Sequence, residues 1–144
     1  MNEKSTIKVL KECTDNNLND LNELFKLFDK PRKLDITIVN DMLSNKETIV
    51  VVAVRDQKVV GMCTVAAYYT LTGKQGVFEH FAIDRSNQGT GLADKMFNFA
   101  VERAKKMGVT RLMWTSRPSK EKANAFYRKR LVPAPTNVYK YDLK

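Results

Sequence analysis

Apolar residues recur along this chain with two periods, and each change of period marks a new element. Behind Thr14 or Asp15 as a cap, Leu18, Leu21, Leu24, Phe25 and Phe28 follow helical spacing until Pro31 interrupts them. Residues 35–43 read as a second, shorter helix, and residues 6–10 as a short opening strand. Residues 48–54 and 59–69 are rich in β-branched and aromatic side chains, which suit strands, and Arg55-Asp56-Gln57-Lys58 between them makes a hairpin turn. Gly73-Lys74-Gln75-Gly76 is expected to be the next turn, leading into an apolar strand over residues 77–83.

The longest helix is expected from about residue 89 to residue 106. Its buried stripe is Leu92, Met96, Phe97, Ala100, Val101 and Ala104, and Gly108 ends it. A strand over 110–115, a helix over 119–130 and a last strand over 137–143 complete the pattern. Strand–turn–helix units set among hairpins predict an α/β (α+β) fold. The expected sheet is mixed and mostly antiparallel, with six to seven strands and helices on both faces. At 144 residues, without repeats or linker-like stretches, the chain is expected to form one domain, 1–144.

Charge narrows the partners. The net charge is +9, and residues 117–144 alone carry 8 basic and 2 acidic groups. Such an end attracts anions, whether nucleic acid, acidic lipid or a phosphorylated small molecule. Nucleic acid ranks last, because the basic stretch lacks aromatic interleaving and matches no recognised module. Two cysteines, Cys13 and Cys63, make no disulfide framework, and Asn2, Glu3, Lys4 and Ser5 are unlike a secretory signal. Cytoplasmic location with reduced thiols is therefore expected. The longest apolar run, residues 49–54, is far too short to cross a bilayer, so no membrane role is expected.

The densest chemical signal is Asp84-Arg85-Ser86-Asn87-Gln88-Gly89-Thr90-Gly91-Leu92, where an apolar strand runs through a polar turn directly into a helix. Glycine lets backbone approach a ligand closely, and a helix start offers free N–H groups at the positive end of a dipole. A dinucleotide fingerprint would need glycine at Asp94 and an acid closing the next strand, and neither is present. A nucleotide P-loop would need Gly-Lys-Ser/Thr, also absent. The turn suits a phosphate held by backbone amides. No His/Cys/Asp/Glu cluster has metal-ligand spacing, so no metal is expected.

Two segments resemble the GNAT superfamily of acyl-CoA-dependent N-acyltransferases. Glu79-His80-Phe81-Ala82-Ile83-Asp84 through Gly89-Thr90-Gly91-Leu92 is similar to that family's strand and Arg/Gln-x-x-Gly-x-Gly/Ala pyrophosphate loop. Ala123-Asn124-Ala125-Phe126-Tyr127 is similar to its Ala-x-x-Leu/Phe-Tyr signature. Ser86 stands where the family usually has Arg or Gln, Lys120 where it often has Asn, and Arg130-Leu131-Val132 replaces the usual Gly-Phe.

The resemblance implies acetyl-CoA as co-substrate. Its pantetheine is expected on the backbone of Phe81, Ala82 and Ile83, and its pyrophosphate on the N–H groups of Asn87, Gln88, Gly89, Thr90, Gly91 and Leu92. Lys120 is expected to meet the adenosine phosphates. Tyr127 is the expected general acid, protonating the thiolate that leaves the thioester; the alternative is an aromatic anchor for its helix. Glu79 is the expected base, directly or through water, with a surface carboxylate or a relay through His80 as alternatives. Strand alternation places Glu79, Phe81 and Ile83 on one side and Phe78, His80 and Ala82 on the other.

The implied function is N-acetyl transfer to a primary amine by direct attack in a ternary complex. A small-molecule amine is the expected acceptor, with a protein lysine or N-terminus as the other option, and small members of the family are often homodimers. A non-catalytic acyl-CoA-binding or regulatory module is the competing reading.

Overall fold

The computed structural model describes residues 4–131 and 133–143. Asn2, Glu3 and Val132 lie outside the described residues. The chain forms two compact units, residues 1–114 and 115–144.

The first unit is built on one sheet in the order β1 (Thr6–Val9), β2 (Thr48–Arg55), β3 (Lys58–Thr70), β4 (Gly73–Ile83), β5 (Arg111–Met113). The first three pairings are antiparallel and β4–β5 is parallel. Three helices accompany it: α1 (Asp15–Phe25), α2 (Ile36–Ser44) and α3 (Leu92–Lys106). Thr14 caps α1 in a capping box with Asn17, and the Asp35 carboxylate accepts from the amides of Thr37 and Ile38 to start α2.

Directly opposed residues of a ladder share a face, so the register assigns the layers. Val50, Val52, Met62 and Ala82 bury against Leu21 and Leu24 of α1 and Val39 of α2. The opposite face receives α3, whose Leu92, Met96, Phe97, Ala100 and Ala104 are buried while Val101 is half-buried. Helices therefore cover both faces, as the hydrophobic pattern implies.

The β2–β3 hairpin turns through Asp56 and Gln57, with φ of 51° and 63°. Two successive left-handed residues make the type I′ geometry that matches strand twist. The next turn falls elsewhere than expected. Leu71 and Thr72 make it, and Gly73 to Gly76 already belong to β4. Gly76 serves close packing instead: a Cβ there would meet the Val109 side chain at 3.2 Å and that of Leu112 at 3.3 Å.

The expected six to seven strands are corrected to five among the described residues. Residues 137–143 form no strand; Val138, Tyr139, Tyr141 and Leu143 lie exposed at 72–91%. Strand propensity measures fit to a half-buried pleated surface, and without a ladder partner it yields no strand. In the second unit, α4 (Glu121–Arg128) is the one helix among the described residues. Among the described residues no helix is long and apolar enough to cross a membrane.

Candidate active site

The candidate site begins at an irregularity in β4. Met62 pairs with Ala82 and Thr64 with Glu79, so His80 and Phe81 together oppose Cys63. This is a β-bulge, and His80 takes its left-handed position with φ of 52°. The extra residue shifts the alternation. Glu79 is opposite Thr64, itself opposite Val50 on the α1 face. Phe78 meets Phe97 of α3 at 5.8 Å between ring centres, and Phe81 meets Phe78 at 5.4 Å.

The expected grouping is thus corrected. Glu79, His80 and Ala82 share the α1 face, while Phe78 and Phe81 share the α3 face. Glu79 Oε2 lies 3.9 Å from His80 Nε2, and both side chains are about half exposed. Sequence alone treats β4 as uniformly pleated, and a single inserted residue inverts that assignment.

The ladder between β4 and β5 covers only Gln75, Gly76 and Val77, opposite Arg111, Leu112 and Met113. Beyond it β4 continues through Phe81, Ala82 and Ile83, while Trp114 turns onto Phe78 and Phe97. β5 thus ends opposite Val77, and β4 runs on past it through the bulge.

After Ile83 the chain enters a short 3-10 turn, Arg85–Asn87, and then the glycines. Polar contacts within the turn hold it. The Ser86 hydroxyl donates to Asp84 Oδ2 at 2.8 Å, Gln88 Nε2 to the Ile83 carbonyl at 2.9 Å, and the Thr90 hydroxyl to the Asn87 carbonyl at 2.6 Å. Asn87 is buried, and Arg55 Nη1 donates to its Oδ1 at 3.0 Å. Arg55 is a supporting residue that the sequence reading missed. It sits at the end of β2, and no local pattern signals a contact across 32 positions.

The amides of Asn87 and Gln88 donate within the turn, to the Asp84 and Arg85 carbonyls. The amides of Gly89, Thr90, Gly91 and Leu92 that follow donate to no protein oxygen among the described residues. Gly89 and Gly91 have φ of 73° and 84°, and a Cβ built on either meets nothing within 4 Å. Gly91 is the N-cap of α3 and has no side chain to close the helix end. Arg85 and Lys95, both exposed, flank the row. A helix start open to solvent, lined by amides and flanked by cations, is suited to a phosphate or pyrophosphate. The Ser86 departure fits this account, because its hydroxyl shapes the turn through Asp84.

Tyr127 and Lys120 lie in the second unit. Lys120 is the N-cap of α4, with its amide bonded to the Arg117 carbonyl at 3.0 Å, and Asn124 Nδ2 bonds the same carbonyl at 2.8 Å. Tyr127 is half-buried on α4, its ring 5.7 Å from that of Phe126, which in turn lies under the Arg130 guanidinium at 3.9 Å. Its carbonyl accepts from the amides of Arg130 and Leu131, closing the helix.

Among the described residues no group of three or more His, Cys, Asp or Glu side chains could hold a metal ion. Burial holds both thiols in the neutral form. Cys63 is pushed up to about 12, and Cys13 is raised by burial and by the charge of Asp15.

Comparison with known proteins places this geometry. Among solved structures, the fold is similar to an aminoglycoside acetyltransferase from an uncultured soil metagenomic sample, with TM-score 0.82 and 20% identity over 97% of each chain. It is also similar to glucosamine-6-phosphate N-acetyltransferase from Arabidopsis thaliana, with TM-score 0.78 and 19% identity over 96% of this chain and 99% of that one. A transcriptional regulator from Bacillus halodurans C-125 aligns with TM-score 0.79 and 21% identity over 97% of this chain and all of the other. No curated protein sequence matches. The acetyltransferase (GNAT) family profile matches residues 15–131, spanning the bulged strand, the amide row and Tyr127, and the chain belongs to that family.

Proposed function

We propose that this chain, working as a single domain over residues 1–144, is an N-acetyltransferase that moves an acetyl group from acetyl-CoA to a primary amine by direct attack in a ternary complex. The observation that carries the reading is the open amide row of Gly89, Thr90, Gly91 and Leu92 at the start of α3. That row is built to take the pyrophosphate of a CoA ester. The co-substrate supplies the thioester that activates the acetyl carbonyl.

The residues divide the remaining work. The backbone of Phe81, Ala82 and Ile83, beyond the end of the β5 ladder, receives the pantetheine arm, and a strand N–H there polarises the thioester carbonyl. Glu79, directly or through water, takes the proton the amine loses as its C–N bond forms. Tyr127 donates a proton to sulfur as the C–S bond breaks, so CoA leaves as the thiol, and the proton taken by Glu79 leaves the product as a neutral amide. Lys120 meets the phosphates of the adenosine end.

A small-molecule amine is the acceptor we favour. Two proteins of similar fold are named for aminoglycoside and glucosamine-6-phosphate acetylation, both small amines.

Thiol release, measured across a panel of amines with acetyl-CoA, tests the reading. Tyr127→Phe is expected to lower kcat by about 100-fold or more, the usual worth of a positioned general acid, with CoA affinity by calorimetry unchanged. CoA binding without transfer to any amine would favour a non-catalytic binding module. Absence of both binding and transfer would sink the proposal.

A further inference from the structure

Left-handed backbone is unfavourable for any residue bearing a Cβ, and His80 is the one such residue outside the β2–β3 turn among the described residues. Something has to hold it there. Its ring lies 5.1 Å from that of Phe25, the last residue of α1, and 6.0 Å from that of Phe28. Phe25 and Phe28 meet each other edge to face, with centres 5.2 Å apart and planes at 74°. This is the arrangement that aromatic quadrupoles favour. Leu21 and Leu24, buried on the same helix, fix where Phe25 stands.

We propose that Phe25 and Phe28 are positioning residues that act through His80. Their rings hold residue 80 left-handed, and this keeps the β4 bulge that sends Glu79 to the α1 face and Phe81 to the α3 face. If residue 80 relaxed to extended backbone, the strand would lose its extra residue. Everything on one side of the bulge would then move one position out of register, taking Glu79 away from Ala82's face or Ala82 out of the core. The clamp thus couples the end of the first helix to the geometry of the reacting strand. Its catalytic consequence rests on the acetyl-transfer reading above; its structural part does not.

Glycine provides the discriminating background, because it adopts positive φ without being held. The variants are Phe25→Ala, Phe28→Ala, His80→Gly and Phe25→Ala with His80→Gly. Backbone φ at residue 80 is read from NMR couplings and carbon shifts, the state of the loop from the thermal shift given by CoA, and kcat from thiol release.

We expect Phe25→Ala to lose the left-handed signature at residue 80 and to lower kcat about tenfold, with the CoA shift retained. In the His80→Gly background the same change should alter kcat by no more than about twofold. Two results would overturn the clamp: a left-handed residue 80 that persists in both Phe→Ala variants, or an equal loss of kcat in the two backgrounds. The latter would make Phe25 a wall of the acceptor site. Should Phe25→Ala fail to fold, Phe25→Leu and Phe28→Ala carry the same measurements. Absence of transfer by the wild-type protein would remove the proposed function, while the NMR readout would still decide whether the clamp exists.

Discussion

Gly91 has φ of 84° at the N-cap of α3, where any side chain would be strained although space for a Cβ is open. The requirement is therefore conformational, and Gly89, with φ of 73°, shares it. Gly91→Ala should cost about 1–2 kcal/mol of stability, the usual cost of left-handed backbone for an L-residue. It should also weaken CoA binding in calorimetry; unchanged affinity would show that the amide row does not hold the pyrophosphate. Cys63 makes a second residue-scale case. Burial pushes its thiol up to about 12, above the ~8.5 of an unfolded cysteine. The folded state thus holds this proton more tightly. The stability linked to it is fully present below pH ~8.5 and is lost as pH rises toward the folded value. Native protein at pH ~9 should leave Cys63 unmodified by a thiol reagent, and denatured protein should expose it. Labelling of the native protein at that pH would contradict the burial.

Among the elements, α3 docks on the sheet through one small position. A Cβ on Gly61 of β3 would come within 2.6 Å of Met96 Sδ and 3.4 Å of the Ala53 Cβ. Met96 is wholly buried and has no solvent to swing into. Gly61→Ala should therefore cost about 1–3 kcal/mol in urea unfolding, as overpacked cores do. The double variant Gly61→Ala with Met96→Ala should be less destabilised than the two single changes together, because one relieves the other's crowding. Strict additivity would show that the helix stands further from the strand than these contacts imply. The elements also separate what was legible from what was not. Thr14, Asp35 and the stripe from Leu92 to Ala104 are local signals, and their helices form where the spacing puts them. Gly76 misled, since a glycine marks a turn and a close approach equally well. The bulge at His80 left no local trace, for the residue is not glycine and its conformation is held by α1.

Over the whole molecule, the net charge of +9 sets a field that favours a multiply phosphorylated co-substrate. Screening acts over about 8 Å at physiological ionic strength, so the KM for acetyl-CoA should rise severalfold as salt is raised. The thermal shift given by saturating CoA should shrink in parallel. A KM indifferent to salt would mean that the basic residues lie away from the phosphates. Sequence by itself determined the family, the order of elements as far as α4, the two-faced helical covering and the amide-bearing turn. All of these arise from neighbours a few positions apart, where periodicity, caps and glycines speak directly. Tertiary structure alone decided which amides stay open, the contact of Arg55 with Asn87, the face on which Glu79 stands, and that residues 137–143 form no strand. Each of those depends on a partner distant in sequence, and a hydrogen bond or a ladder exists only once both of its sides are in place.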